Sequence, residues 1–209
     1  MSTLDTQDLG VSIANHVATV EIRRPPHNFF DISLIQQIAD TYEKLDTLTD
    51  CRSILLCAEG KNFCAGANFG ASDAGNAKDS TQGALSSDLY RQAVRIFRCR
   101  KPVVAAVQGA AIGGGLGLAV SADFRVTCPE GRFSANFTKL GFHPGFGLTY
   151  TLPALLGQQR ASLLLLTSRR IDGPQALAWG LADDCVPQEQ LRATALALAA
   201  ELASCAPLA

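Results

Sequence analysis

The chain has 209 residues, 47% of them hydrophobic and 18% charged, with 18 Lys and Arg against 19 Asp and Glu. A charged fraction below the ~25% usual for soluble domains, with ordinary apolar content, favours a well-buried globular chain over a disordered one. A net charge of −1 provides no field to gather nucleic acid or an anionic membrane surface, so an ordinary cytosolic surface is expected.

At roughly 100–200 residues per domain, one large domain or two small ones is expected; no linker divides the chain, so 1–209 reads as one domain. Seven cysteines, at 51, 57, 64, 99, 128, 185 and 205, form no C-x-x-C pair. Their odd number and spacing argue against a disulfide framework and a zinc site, and point to small buried hydrophobes in a reducing, cytoplasmic compartment. Residues 1–10 lack a basic segment followed by an apolar one, so no signal peptide is expected. The most apolar run, 110–120, contains four glycines and is too short to cross a bilayer, which needs ~20 residues.

In chain order, Val11, Ile13, Val17, Thr19, Val20 and Ile22 form two β-rich runs around Ala14-Asn15-His16, which predicts a hairpin. Arg23-Arg24-Pro25-Pro26 ends the second strand, because proline cannot donate to a ladder. Leu34, Ile35, Ile38, Tyr42, Leu45 and Leu48 recur at helical spacing, with Asp31 or Ser33 as N-cap. Residues 53–57 read as a buried strand, 59–71 as a glycine-bearing loop and 71–83 as a polar, mobile stretch. Leu85, Leu89, Ala93, Ile96 and Phe97 signal a second helix, stopped by Lys101-Pro102 before a strand at 103–107. Residues 108–117 read as a glycine-rich turn entering a short helix, 124–128 as a strand and 129–147 as a loop. Everything beyond reads as helical, over 148–156, 160–167, 174–180 and 188–202. Strands alternating with helices argue an α/β fold.

Two segments carry candidate chemistry. The first is Gly60-Lys61-Asn62-Phe63-Cys64-Ala65-Gly66-Ala67-Asn68; the second is Gly109-Ala110-Ala111-Ile112-Gly113-Gly114-Gly115-Leu116-Gly117. A dinucleotide fingerprint fails because its third glycine position is Leu118, and the Gly-Lys-Ser/Thr of a P-loop is absent. What remains is a run of small residues opening a helix. Its unpaired N–H groups either stabilise a developing oxyanion, or the glycines serve only close packing.

Lys61 to Ala67, Lys101 to Gly115, Ala122-Asp123, Leu140-Gly141 with Pro144-Gly145, and Ala176-Leu177 with Gly180-Leu181 stand in an order and spacing that resemble the enoyl-CoA hydratase/isomerase (crotonase) family. The resemblance implies a crotonase-like fold of repeated ββα units with a helical C-terminal region. It also implies an acyl-CoA thioester as substrate with no other cofactor and no metal, and assembly as a homotrimer or hexamer. Two backbone amides of such enzymes hold the thioester oxygen, and the matching positions here are Ala67 and Gly114. Neighbouring Ala65, Asn68 and Gly113 are then substrate-binding candidates, as is Lys61, which could meet CoA phosphates. Arg23 and Arg24 are either phosphate contacts or solvated charges.

The sequence departs from the family where hydration chemistry should sit. Hydratases hold water between two glutamates, and those positions here are Gly117 and Phe137, neither of which can accept a proton. His143, in the loop that follows, is either a packed, hydrogen-bonded residue or a replacement acid/base group. Asn136 and Tyr150 are candidate hydrogen-bond donors to substrate, and Phe137 lines the same region. The resemblance implies further helices beyond Ala209. The expected function is an acyl-CoA enzyme of the lyase or isomerase type that works through a thioester enolate, the alternative being a non-catalytic acyl-CoA binder. The apolar face carrying Leu191, Leu198 and Leu202 supports assembly unless it folds back on the core.

Overall fold

The computed structural model describes residues 5–67 and 81–206, with the side chains of 81–87 left aside. The hairpin forms as expected: β1 (Leu9–Ala14) and β2 (Val17–Ile22) pair antiparallel around Asn15 and His16, whose φ values are 50° and 66°. Two successive positive φ values match the right-handed twist of a two-residue hairpin. The helix α1 (Ile32–Thr47) follows, and the Asp31 carboxylate caps it by accepting from the Leu34 N–H at 2.9 Å.

The chain continues through β3 (Ser53–Ala58), α2 (Thr81–Ile96), β4 (Val103–Val107), β5 (Ala110–Ile112), α3 (Gly114–Val120), β6 (Phe124–Thr127) and β7 (Arg132–Ser134). A 3-10 turn at Thr138–Leu140 leads to α4 (Leu148–Thr167), β8 (Ile171–Asp172), α5 (Gly173–Trp179), β9 (Asp184–Cys185) and α6 (Gln188–Ser204). One sheet has six strands in the order β1-β2-β3-β4-β6-β9, parallel from β2 onward; the other has three, β5-β7-β8.

Both faces of the larger sheet are covered, which is why β3 and β4 are buried along their whole length. Alternate residues serve different cores. Ile54, Leu56, Val103, Ala105 and Val107 pack with the apolar stripes of α1, α2 and α3, while Leu55, Cys57, Val104, Ala106 and Val126 pack against α6. The latter side is thin because α6 presents Leu191, Ala195, Ala199 and Ala203 to it, three of them alanines.

Several expectations change. The turn predicted at 108–117 contains β5, the loop at 129–147 contains β7 and the 3-10 turn, and the all-helical C-terminal reading misses β8 and β9. These strands have two or three residues each, too few to show a period of two. The polar stretch at 71–83 falls outside the described residues up to 80, and 81–83 open α2. The two helices predicted on either side of 157–159 do form, as the two parts of α4, which is broken at Gly157, at φ 74° and ψ 161°. The apolar face of α6 does fold back: Leu191 is buried on the sheet and Leu198 and Leu202 pack partly against it, so that face gives no ground for assembly. Among the described residues, no helix is long and apolar enough to cross a membrane.

Candidate active site

The loops that follow β2 and β3 and the turn after β5 converge beside α3. Phe63 N–H donates to the Gln108 carbonyl and Cys64 N–H to the Ala110 carbonyl, both at 2.8 Å. Ile112 N–H returns a bond to the Cys64 carbonyl at 3.1 Å, so residues 63–64 run along β5. On the other flank, Ala65 N–H donates to the His27 carbonyl and Phe30 N–H to the Gly66 carbonyl, both at 3.0 Å. Buried Asn28 fixes this arrangement, its amide donating to the carbonyls of Glu59 at 2.8 Å and Asn62 at 2.6 Å.

These bonds orient the amide of Ala67. A trans peptide points its C=O and N–H in opposite directions. The Cys64–Ala65 peptide directs its carbonyl at Ile112 and its N–H at His27, whereas the Gly66–Ala67 peptide directs its carbonyl at Phe30. The Ala67 N–H therefore faces the opposite side, where β5 runs into α3. Gly66, at φ 91°, lies so close to that strand that a Cβ would stand 2.9 Å from the Ile112 carbonyl oxygen.

Gly113 supplies the facing turn. Its φ of 57° and ψ of −119° are open to glycine alone, and its N–H is held by the Ser134 carbonyl at 2.8 Å. The reversal starts α3, whose first internal bond runs from Gly117 N–H to the Gly113 carbonyl at 3.1 Å. The N–H of Gly114 precedes that bond and has no partner within the helix. A Cβ on Gly115 would strike the Cys64 carbonyl, and one on Gly114 the ring of Phe30, so α3 seats directly against the first segment. Burial pushes the Cys64 thiol up to about 12, which keeps it neutral and unreactive between the two segments.

The structure brings together Ala65, Ala67, Gly113, Gly114, Asn136 and Phe137. A Cβ on Gly113 would lie 2.9 Å from Asn136 Oδ1 and 3.9 Å from Phe137 Cζ, so both side chains stand over the turn. Lys61 is exposed in the same loop, and Asn68 lies outside the described residues. His143 is exposed, with Nδ1 2.9 Å from the Pro144 carbonyl, and Tyr150, in the first turn of α4, is 80% exposed. Among the described residues, no hydrogen bond joins either side chain to the glycine turn. Arg23 and Arg24 are already engaged, the first by Glu21 at 3.0 Å and the second by Asp8 at 2.7 Å and Asp31 at 2.9 Å.

The sequence reading missed an aromatic row. Phe30 lies over Gly114, and Phe146 lies over Gly117, where a Cβ would come within 2.5 Å of the Phe146 Cβ. The Phe146 ring centroid is 6.0 Å from that of Phe30 and 6.2 Å from that of Phe97. The available signal was the glycine on each side of Phe146. Gly145 comes against the Tyr90 ring and Gly147 against the Phe97 ring, which lets the backbone press inward. A separate cavity of about 180 Å³ opens at the carboxyl ends of β3 and β4, bordered by Gln108 and by Arg192, which pairs with Glu21 at 2.6 Å.

Comparison with known proteins agrees with this architecture. The chain is 35% identical to a probable enoyl-CoA hydratase of Mycobacterium tuberculosis over 173 residues, 82% of this chain and 67% of that protein. It is 33% identical to a carnitinyl-CoA dehydratase of Citrobacter koseri over 194 residues, 92% of this chain and 73% of the relative. Among solved structures, DspI of Pseudomonas aeruginosa superposes with a TM-score of 0.91 at 28% identity, covering 99% of this chain and 84% of that one. An enoyl-CoA hydratase of Bacillus anthracis superposes at 0.89 with 29% identity, covering 97% and 79%. The enoyl-CoA hydratase/isomerase family model matches residues 12–209, and the chain belongs to that family, with the crotonase fold.

Proposed function

We propose that this chain binds an acyl-CoA thioester, holds its carbonyl oxygen between the amides of Ala67 and Gly114, and carries the reaction through the resulting enolate. The observation that supports this is the orientation of the Gly66–Ala67 peptide toward the turn at Gly113 and Gly114. Two preorganised amides aimed at one oxygen stabilise charge that develops there. Lys61 meets the CoA phosphates, Asn68 is a further substrate-binding residue, Ala65 and Gly113 line the thioester's path, and Asn136, Phe137 and Tyr150 border the acyl group.

Ordinary hydration does not fit Gly117 and Phe137, because neither activates water nor protonates carbon. A reaction that brings its own electron pair suits the site better. In decarboxylation of a malonyl-type thioester, the electrons of the breaking C–C bond pass to the carbonyl oxygen, CO₂ leaves, and His143 protonates the α-carbon. Hydrolysis and isomerisation are the other reactions to assay. The exposure of His143 favours a second reading, a non-catalytic acyl-CoA binder, with the same two amides. Fatty-acid metabolism is the proposed setting, and a homotrimer or hexamer the proposed assembly.

The test assays the unmodified protein for crotonyl-CoA hydration, for decarboxylation of malonyl- and methylmalonyl-CoA and for thioester hydrolysis. Crotonyl-CoA hydration is expected to be absent or very low, and efficient hydration overturns the assignment of positions 117 and 137. Gly114→Pro removes one donor and is expected to lower turnover by ~10²–10³-fold. A Phe30→Ala background gives the new ring room, since Phe30 lies over this position. Unchanged binding and turnover refute the amide assignment; binding without turnover on any thioester supports the second reading.

A further inference from the structure

Gly114 and Gly117 are three residues apart on α3 and therefore share a face. Phe30 covers the first and Phe146 the second, and the two rings are neighbours. Phe146 is 3% exposed, yet its φ is 53°, in the left-handed region that a phenylalanine rarely adopts. Such a conformation persists only where surrounding structure holds it. The hold comes from both sides, with Gly145 against Tyr90 of α2 and the Phe146 ring between Phe30 and Phe97. The side of α3 next to the Gly114 amide is thus filled by a ring delivered from a loop, leaving no room for even a methyl group on Gly117.

We propose that Phe146 is the specificity-determining residue of the site: it closes the pocket along α3 beyond Gly114 and restricts it to short acyl groups. This rests on the acyl-CoA reading given above. A thioester whose oxygen meets the Gly114 amide directs its acyl chain past Gly117 only if the Phe146 ring is absent. Phe137, over Gly113, bounds the other end of the turn.

Two measurements test this. Direct binding of acetyl-, butyryl-, hexanoyl- and octanoyl-CoA is measured by calorimetry for the unmodified protein, Phe146→Gly and Phe146→Leu. Glycine suits the φ at 146, and leucine keeps an apolar side chain there in case glycine loosens the fold. The unmodified protein is expected to bind acetyl- and butyryl-CoA and to reject octanoyl-CoA. Phe146→Gly raises the octanoyl-to-acetyl affinity ratio by about tenfold or more, and Phe146→Leu by less. A ratio unchanged in both variants, or octanoyl-CoA bound as well as acetyl-CoA by the unmodified protein, overturns the proposal. Binding of no thioester by the unmodified protein overturns the acyl-CoA reading and this role with it.

Thermal unfolding gives a readout that needs no ligand. Gly117→Ala is expected to lower the melting temperature by about 3–8 °C while Phe146 is present. In the Phe146→Gly background the same change raises it, because alanine is the better helix former once the ring has gone. No loss on Gly117→Ala alone, or the same loss in both backgrounds, means that Phe146 does not fill this space and refutes the proposal.

Discussion

The two halves of the candidate site are built from different materials. Around Ala67, Gly113 and Gly114 the parts are peptide groups, held by bonds between Phe30 and Gly66, Cys64 and Ile112, and Gly113 and Ser134, and packed too closely for added atoms. Around 141–145 the parts are a loop with the exposed side chains of Phe142 and His143, and among the described residues the His143 ring meets the carbonyl of the next residue. The difference teaches that the two amides proposed to hold the thioester oxygen are fixed by the fold, whereas the proposed proton donor, His143, is a side chain that the fold leaves exposed.

The comparison breaks most visibly at Gly115. A Cβ there meets the Cys64 carbonyl, a backbone atom that cannot step aside. Gly115→Ala is expected to cost ~3 kcal/mol, read as a lower urea midpoint at unchanged slope. Wild-type stability in that variant shows that the two segments are not in contact. His143→Ala probes the other half: turnover on the true substrate falls by ~10²-fold, while CoA affinity and the urea midpoint stay where they were. A midpoint that moves, or turnover that does not, removes His143 from the chemistry.

A smaller effect lies behind the first half, where Arg24 anchors the loop that carries Phe30 through Asp8 and Asp31. Arg24 holds the Asp8 carboxyl below its usual range through their hydrogen bond, with Gln37 assisting. A carboxylate so depressed stabilises the fold fully above its unfolded pKa of about 3.9, and that contribution is lost as pH falls through the lower folded value. Arg24→Ala is expected to cost ~1 kcal/mol at pH 7, and the gap narrows on acidification below about pH 3.9. A gap that stays constant with pH shows that the pair does not carry the difference.

Much of this was legible in the residues. The strand at 103–107 matches β4 residue for residue, and of the two caps read, Asp31 and Ser33, Asp31 forms, because long buried runs and caps declare themselves locally. The strands β5, β7, β8 and β9 were not legible, since their pairing is decided by partners distant in sequence. For the site, the resemblance singled out positions 67 and 114, but the direction of the Ala67 amide follows only from the bonds of the peptides on either side. Gly117 read as a lost carboxylate. That a ring from position 146 stands in its space could not be read, because no spacing rule links a helix to a loop nearly thirty residues later.

The seating of α6 has a consequence for the newborn chain. β6 is complete at Thr127, but the residues that cover the outward side of β3, β4 and β6 run from Leu191 to Ala203. The Ser53 hydroxyl bonds the Ala199 carbonyl at 2.7 Å, a link between chain positions far apart in synthesis. At about 5–20 residues per second, translation leaves that apolar strip of Leu55, Val104, Ala106 and Val126 bare for roughly 3–13 s after its strands have emerged. During that interval the half-made protein offers a hydrophobic surface to ribosome-bound chaperones and to its own polysome neighbours.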